Sequence, residues 1–162
     1  MAEMTYSRLQ STISLIGFLV LVVGGGLAIG MVTGPDEWFA RLTKPSVNPP
    51  NWLFAPVWTS LYVMIAIAGW RIRQNGSSGA RNKLLWWLQL ALNFIWSPIF
   101  FVAHRIDLAL AVIVLLLVSI IVFIARNLNG DRVAAFLFVP YALWVAFATS
   151  LNYALLRLNP AA

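Results

Sequence analysis

Five apolar segments, near residues 11–32, 52–72, 83–101, 107–126 and 132–157, follow one another along this chain with only short separators. A helix rises about 1.5 Å per residue, so each segment has the length needed to cross about 30 Å of hydrocarbon. The five carboxylates, Glu3, Asp36, Glu37, Asp107 and Asp131, stand at or beside segment ends. A bilayer demands that placement, because a charge at mid-depth costs roughly 2.5–3.5 kcal/mol even on the mildest insertion scale. With 61% of 162 residues apolar and 10% charged, no stretch is left over for a soluble domain. The expectation is an all-α bundle of five transmembrane helices forming one domain over residues 1–162.

The separators combine charge with turn formers: Thr33 to Glu37, Lys44 to Pro50, Gln74 to Gly79, His104-Arg105 and Asn127 to Gly130. Arg8 before the apolar run 13–29 could announce a secretory signal, but no clear A-x-A site follows, so an uncleaved first span is expected. An odd number of spans sorts the basic residues by side. Arg8, Arg71, Arg73, Arg81, Lys83, Arg126 and Arg132 fall on the N-terminal side, against Arg41, Lys44, Arg105 and Arg157 on the other. If the membrane is a bacterial inner membrane, that excess puts the N-terminus in the cytoplasm and the C-terminus outside. The net charge of +6 reads as membrane-side anchoring, not as a nucleic-acid surface, because the cations are dispersed between spans. Without cysteine there are no disulfides or thiolate sites, and the redox compartment is unreadable.

Catalytic constellations are missing from the sequence. The single histidine, His104, reads as a solvated loop residue, and no HExxH, GxSxG or phosphate-binding glycine loop occurs. No Asp, Glu or His lies at mid-span, which weakens a proton-coupled exporter. The spans carry instead tryptophans and amides at helical spacing. Asn93, Trp96 and Phe100 share a face beside Pro98; Pro140, Trp144, Ala148 and Asn152 recur every four residues; Trp52, Pro56, Thr59 and Val63 form a similar line. Amides in hydrocarbon need partners, so Asn93 and Asn152 should face the bundle interior, as interhelical hydrogen bonds or as the polar points of a flat aromatic cavity. Gly26, Gly30 and Gly34 permit close helix approach, within the bundle or between subunits. The connection 34–51, with Trp38, Phe39 and four prolines, is a lid over the bundle end or an interfacial anchor.

The order of these motifs resembles the TspO/MBR family, the tryptophan-rich sensory proteins related to the translocator protein or peripheral-type benzodiazepine receptor. The likeness runs from about Gly17 to Asn159. It rests on Trp38-Phe39 with Leu42-Thr43-Lys44-Pro45, Asn48-Pro49-Pro50-Asn51-Trp52, Pro56-Val57-Trp58-Thr59, Gln89 to Asn93, Trp96 to Phe101, and Pro140-Tyr141 with Trp144, Ala148 and Asn152.

The resemblance implies a membrane bundle, usually a homodimer, that binds protoporphyrin-like tetrapyrroles, sterols in some members, and benzodiazepine-site ligands. Carried over by position, the ligand site is Trp38, Trp52, Asn93, Trp96, Trp144 and Ala148, closed by the 34–51 loop. Leu151, Tyr153 and Arg157 fit a permissive sterol motif. Arg41 or Lys44 is a further candidate, from the residues themselves, to meet a propionate. No catalytic residue, metal site or required cofactor is expected, with porphyrin as ligand and no axial ligand for iron in view. Val47 replaces a tryptophan found in many relatives and Leu108 one found in animal members, which puts ligand rank order in doubt. A receptor or carrier is the first reading; light- and oxygen-dependent porphyrin breakdown, or transport, are the alternatives.

Overall fold

A computed structural model describes residues 7–74 and 80–160. Five helices are long and apolar enough to span a membrane: α1 (Arg8–Val32), α3 (Asn51–Gln74), α4 (Arg81–Val102), α5 (Ile106–Asn127) and α6 (Arg132–Leu158). Between the first two lies the short helix α2 (Glu37–Arg41). The protein is therefore a multi-pass integral membrane protein. The observed spans match the expected ones closely, with the largest difference at α1, which begins three residues early, at Arg8 and not at 11. The turn expected at 75–79 lies outside the described residues.

Local chemistry sets the helix ends. Ser7 and Gln10 form a capping box, Asp36 accepts from the Phe39 amide, and Asp131 accepts from the Ala134 amide. Asp131 is also gripped by Arg71, whose Nε lies 3.1 and 3.0 Å from its two carboxylate oxygens, tying α3 to the start of α6. Two spans change pitch inside the membrane. α1 passes through a π-helical stretch at Val20–Gly24, just before its glycine run, and α4 ends in one at Pro98–Val102. In α4 the cause is visible. Pro98 has no N–H to give and its ring crowds the preceding turn, so the ladder resumes with the Ala103 amide reaching back five residues to Pro98 O, at 2.9 Å.

The spans close into a ring in the order α1, α3, α6, α5, α4, with α1 packing on α3 and α4 and with α3 also touching α4 across the ring. α5 shows the simplest pattern: Ile106, Ala109, Ile113, Leu116, Ile120 and Phe123 are buried along one stripe. Phe123 stacks on Phe138 of α6 at 4.1 Å. Two glycines set the rotation of α3. A Cβ on Gly26 would fall 2.2 Å from the Tyr62 ring, and one on Gly69 would fall 2.3 Å from the Trp86 indole. Both contacts lie inside one chain, so Gly26 serves packing within the bundle, while Gly30 has open space around it. α1 is peripheral and buries only Val22 and Gly26 within the membrane.

Candidate functional site

At the end of the bundle opposite the N-terminus, the 34–51 connection lies across α4, α5 and α6. Leu42 is buried in a small apolar cluster with Phe100, Ile106, Ala109 and Leu155. Phe39 packs edge-on against Phe100 and Phe101. Asn159, just past α6, accepts from the Thr43 amide at 2.9 Å and donates to the Thr43 carbonyl at 3.0 Å, a side-chain imitation of a strand pair. Lys44 turns back on α2, donating to the carbonyls of Phe39 and Ala40 at 2.9 and 3.1 Å, with its ammonium 4.8 Å from the Phe39 ring centre. A cation at a helix C-terminus is favourable there. Arg41, in contrast, holds only an exposed pair with Glu37 at 3.1 Å.

His104 departs from the expectation of a free loop residue. It is half-buried, its ring stacks on Trp38 at 4.2 Å and 19°, and its Nε2 lies 3.3 Å from Asp36 Oδ2. It occupies the left-handed region, φ 53°, where it closes the end of α4 as the Arg105 amide reaches back to Ile99 O. The Phe39 amide, with a further contribution from His104, holds the Asp36 carboxyl below its ordinary value of 3.8.

Beneath this cover the polar groups of three spans meet. Asn93 of α4 donates to the Tyr141 hydroxyl at 2.8 Å and accepts from Tyr62 at 3.3 Å, joining α6 and α3. Trp96 Nε1 donates to Asn152 Oδ1 at 3.1 Å, and Asn152 in turn donates to the carbonyl of Ile106 at 3.0 Å. Both amides face the interior, and both are interhelical hydrogen bonds in this state. Trp96 also stacks on Phe100 at 5.2 Å. Trp144 is half-buried against Phe54 and Phe147, at 5.8 and 5.7 Å, and Ala148 packs beside it on the main core. The Trp144 Nε1 is enclosed and has no hydrogen-bond partner among the described residues.

Of the six expected site residues, Asn93, Trp96, Trp144 and Ala148 face the bundle, and Trp38 covers its end. Trp52 does not join them: it is 71% exposed, on the 3₁₀ turn Asn51–Leu53. That turn breaks the helical phase assumed between Trp52 and Pro56, and the line through Pro56 and Val63 faces outwards. α3 presents Trp58 and Tyr62 inwards instead, with Trp58 5.4 Å from Tyr62 and 6.4 Å from Tyr141. The line on α6 winds: steps of four residues advance about 40° beyond a full turn, so it passes from exposed Pro140, through half-buried Trp144 and Ala148, to Asn152 at 1% exposure. Leu151, Tyr153 and Arg157 do not share a face, since Leu151 is buried while Tyr153 and Arg157 point outwards.

Five spanning helices with this aromatic and amide lining can be set beside known proteins. A profile of the TspO/MBR family matches residues 18–158. The chain belongs to the TspO/MBR family. Among its relatives, the tryptophan-rich sensory protein of Cereibacter sphaeroides is 38% identical over 136 residues, covering 84% of this chain and 85% of that one. Protein CrtK of Rhodobacter capsulatus is 36% identical over 136 residues, covering 82% and 85%. The Homo sapiens translocator protein is 34% identical over 127 residues, covering 76% and 75%. This TspO/MBR member therefore shares most of its length with proteins named as sensors and as translocators.

Proposed function

We propose that this TspO/MBR protein is a membrane receptor or carrier for flat hydrophobic ligands of the protoporphyrin type, held between α3, α4 and α6 under the 34–51 cover. The observation that carries the reading is the Trp144 N–H, enclosed among aromatic rings with no acceptor. An unmet buried donor costs about 1–3 kcal/mol, and a ligand carbonyl or carboxylate would relieve that cost. Trp58, Phe54 and Trp144 would supply stacking surface. Of the two cations suggested for a propionate, Lys44 is already engaged by backbone carbonyls, so Arg41, freed from an exposed ion pair, is the better partner. Opening requires the packing of Leu42 and Phe39, the Asn159–Thr43 bonds and the Trp38–His104 stack to part.

The test is a titration of protoporphyrin into the protein in lipid bilayers, followed by quenching of tryptophan emission. Trp144→Phe should weaken a saturable interaction by about tenfold, the worth of one hydrogen bond to a polar or charged acceptor, while Trp52→Phe should change it little. Equal affinity in wild type and Trp144→Phe would refute the assigned pocket.

A second reading draws on the aromatic series Tyr62, Trp58 and Tyr141, with the Trp58 ring 5.4 Å from Tyr62 and 6.4 Å from Tyr141. Such a series could give an electron to the illuminated pigment, which would pass it to oxygen and so generate the reactive oxygen that attacks the macrocycle; this supports light- and oxygen-dependent porphyrin breakdown. A new pigment product formed in light and absent in darkness would distinguish it from binding alone. The homodimer implied by the family would draw on the outward face of α1, where Val20, Leu27 and Met31 are exposed; cross-linking in bilayers tests it.

A further inference from the structure

One cleft of the bundle is not under the 34–51 cover. It lies at the opposite, basic end, where the first half of α1 leans on α3 and splays from α4. The second half of α1 is held against α4, with Gly25 against Phe94 and the Thr33 hydroxyl 2.7 Å from that of Ser97. The N-terminal half is tied to α3, with Trp70 Nε1 donating to Ser11 O at 3.0 Å and Gln74 to the Ser11 hydroxyl at 2.8 Å. The π-helical stretch Val20–Gly24 lies between the two halves. The result is a cleft of about 510 Å³ walled by Ile13, Gly17, Leu21 and Trp87, with Phe18 within it and Arg73 on its rim. A second space of about 180 Å³ shares Phe18, Arg73 and Trp87 and adds Lys83.

The electrostatics of this end are one-sided. Arg71, Arg126 and Arg132 are engaged by Asp131, Asn82 and the Leu128 carbonyl. Arg73 and Lys83 have no ion pair among the described residues, and the acid described at this end, Asp131, is already held by Arg71. Ser14, which also lines the cleft, has an enclosed hydroxyl with no partner among the described residues. Arg73 thus borders the apolar trough along α1, and Lys83 borders the space that adjoins it. Protein side chains leave this trough open, and its polarity matches one class of membrane component.

We propose that this cleft is a binding site for an anionic phospholipid, with the phosphate between Arg73 and Lys83 and one acyl chain along Gly17 and Leu21 against Trp87. Gly17, which has open space at its Cβ position, lets the chain lie close to the α1 backbone. A zwitterionic lipid would fill the same trough but gain little from the two cations. Each cation near the surface favours anionic lipid, and two together give a preference on the order of tenfold at low salt. The site is independent of the porphyrin reading, since it uses other residues at the other end of the bundle.

The test is quenching of Trp87 by brominated lipid. The protein is placed in phosphatidylcholine vesicles containing rising fractions of dibrominated phosphatidylglycerol, or dibrominated phosphatidylcholine at equal bromine content. The Trp87 signal is the difference between wild type and Trp87→Phe. Brominated phosphatidylglycerol should quench that signal at a several-fold lower mole fraction. In Arg73→Gln/Lys83→Gln the two lipids should quench alike, with the phosphatidylcholine curve unchanged as the check that the fold is intact. Identical curves in the wild type, or a preference that survives in the double variant, would overturn the proposal.

Discussion

Trp96→Phe and Trp144→Phe are the same substitution at two tryptophans, on α4 and α6, and the geometry assigns them opposite consequences in the ligand-free protein. At Trp96 the indole N–H satisfies Asn152 Oδ1 at 3.1 Å, and Asn152 is 1% exposed. Replacing it leaves a buried amide oxygen unmet, at about 1–3 kcal/mol, and adds a cavity cost on the order of 1 kcal/mol for the smaller ring. At Trp144 the N–H has no partner to lose. The cavity cost of about 1 kcal/mol is there offset by the removal of an unmet donor worth about 1–3 kcal/mol. Thermal unfolding in detergent should therefore show Trp96→Phe clearly destabilised and Trp144→Phe unchanged or slightly stabilised. Saturating protoporphyrin should raise the wild-type midpoint more than that of Trp144→Phe. Equal destabilisation of the two ligand-free variants would refute the argument, because it would mean that the Trp144 N–H has a partner in the free protein.

Three further outcomes follow from the packing and the cover. Gly69→Ala places a methyl 2.3 Å from Trp86, an indole 1% exposed and fixed by its bond to the Ile65 carbonyl; a loss of about 1–3 kcal/mol is expected in unfolding measurements, against little effect for Gly30→Ala. Asn159→Ala removes both bonds to Thr43 and should speed tryptic cleavage after Arg41 several-fold without altering the midpoint of global unfolding. Asp36, held below its ordinary value of 3.8 chiefly by the Phe39 amide, supports the cover only while ionised. A depressed folded value means that its contribution is complete above pH about 4 and is lost as pH falls through the lower folded value. The Trp38-dependent fluorescence should change in that acid range, and Asp36→Asn should abolish the change.

The spans were legible because hydrocarbon length and the exclusion of charge act on each segment separately. Helix rotation was only partly legible. In a bilayer the outer surface is as apolar as the core, so a tryptophan such as Trp52 carries no sign of which way it faces. Amides do carry one, since lipid offers no partner, and Asn93 and Asn152 were read correctly as interior. What orients α3 is the fit of Gly26 to Tyr62 and of Gly69 to Trp86, contacts between spans that no local pattern encodes. His104 was misread for the same reason: Asp36 and Trp38, which hold it, lie more than sixty positions away. The ring of Tyr62, Asn93 and Tyr141 was missed as a unit, although a hydroxyl on each of two neighbouring spans beside a buried amide was a signal available in the sequence.

The most direct measurement is an experimental structure of the protein in a bilayer with protoporphyrin bound. The macrocycle is expected between α3, α4 and α6, with an oxygen of the ligand within hydrogen-bond distance of Trp144 Nε1 and the 34–51 cover closed above it. A macrocycle on the lipid-facing surface, or one seated inside with Trp144 Nε1 still unpartnered, would contradict it.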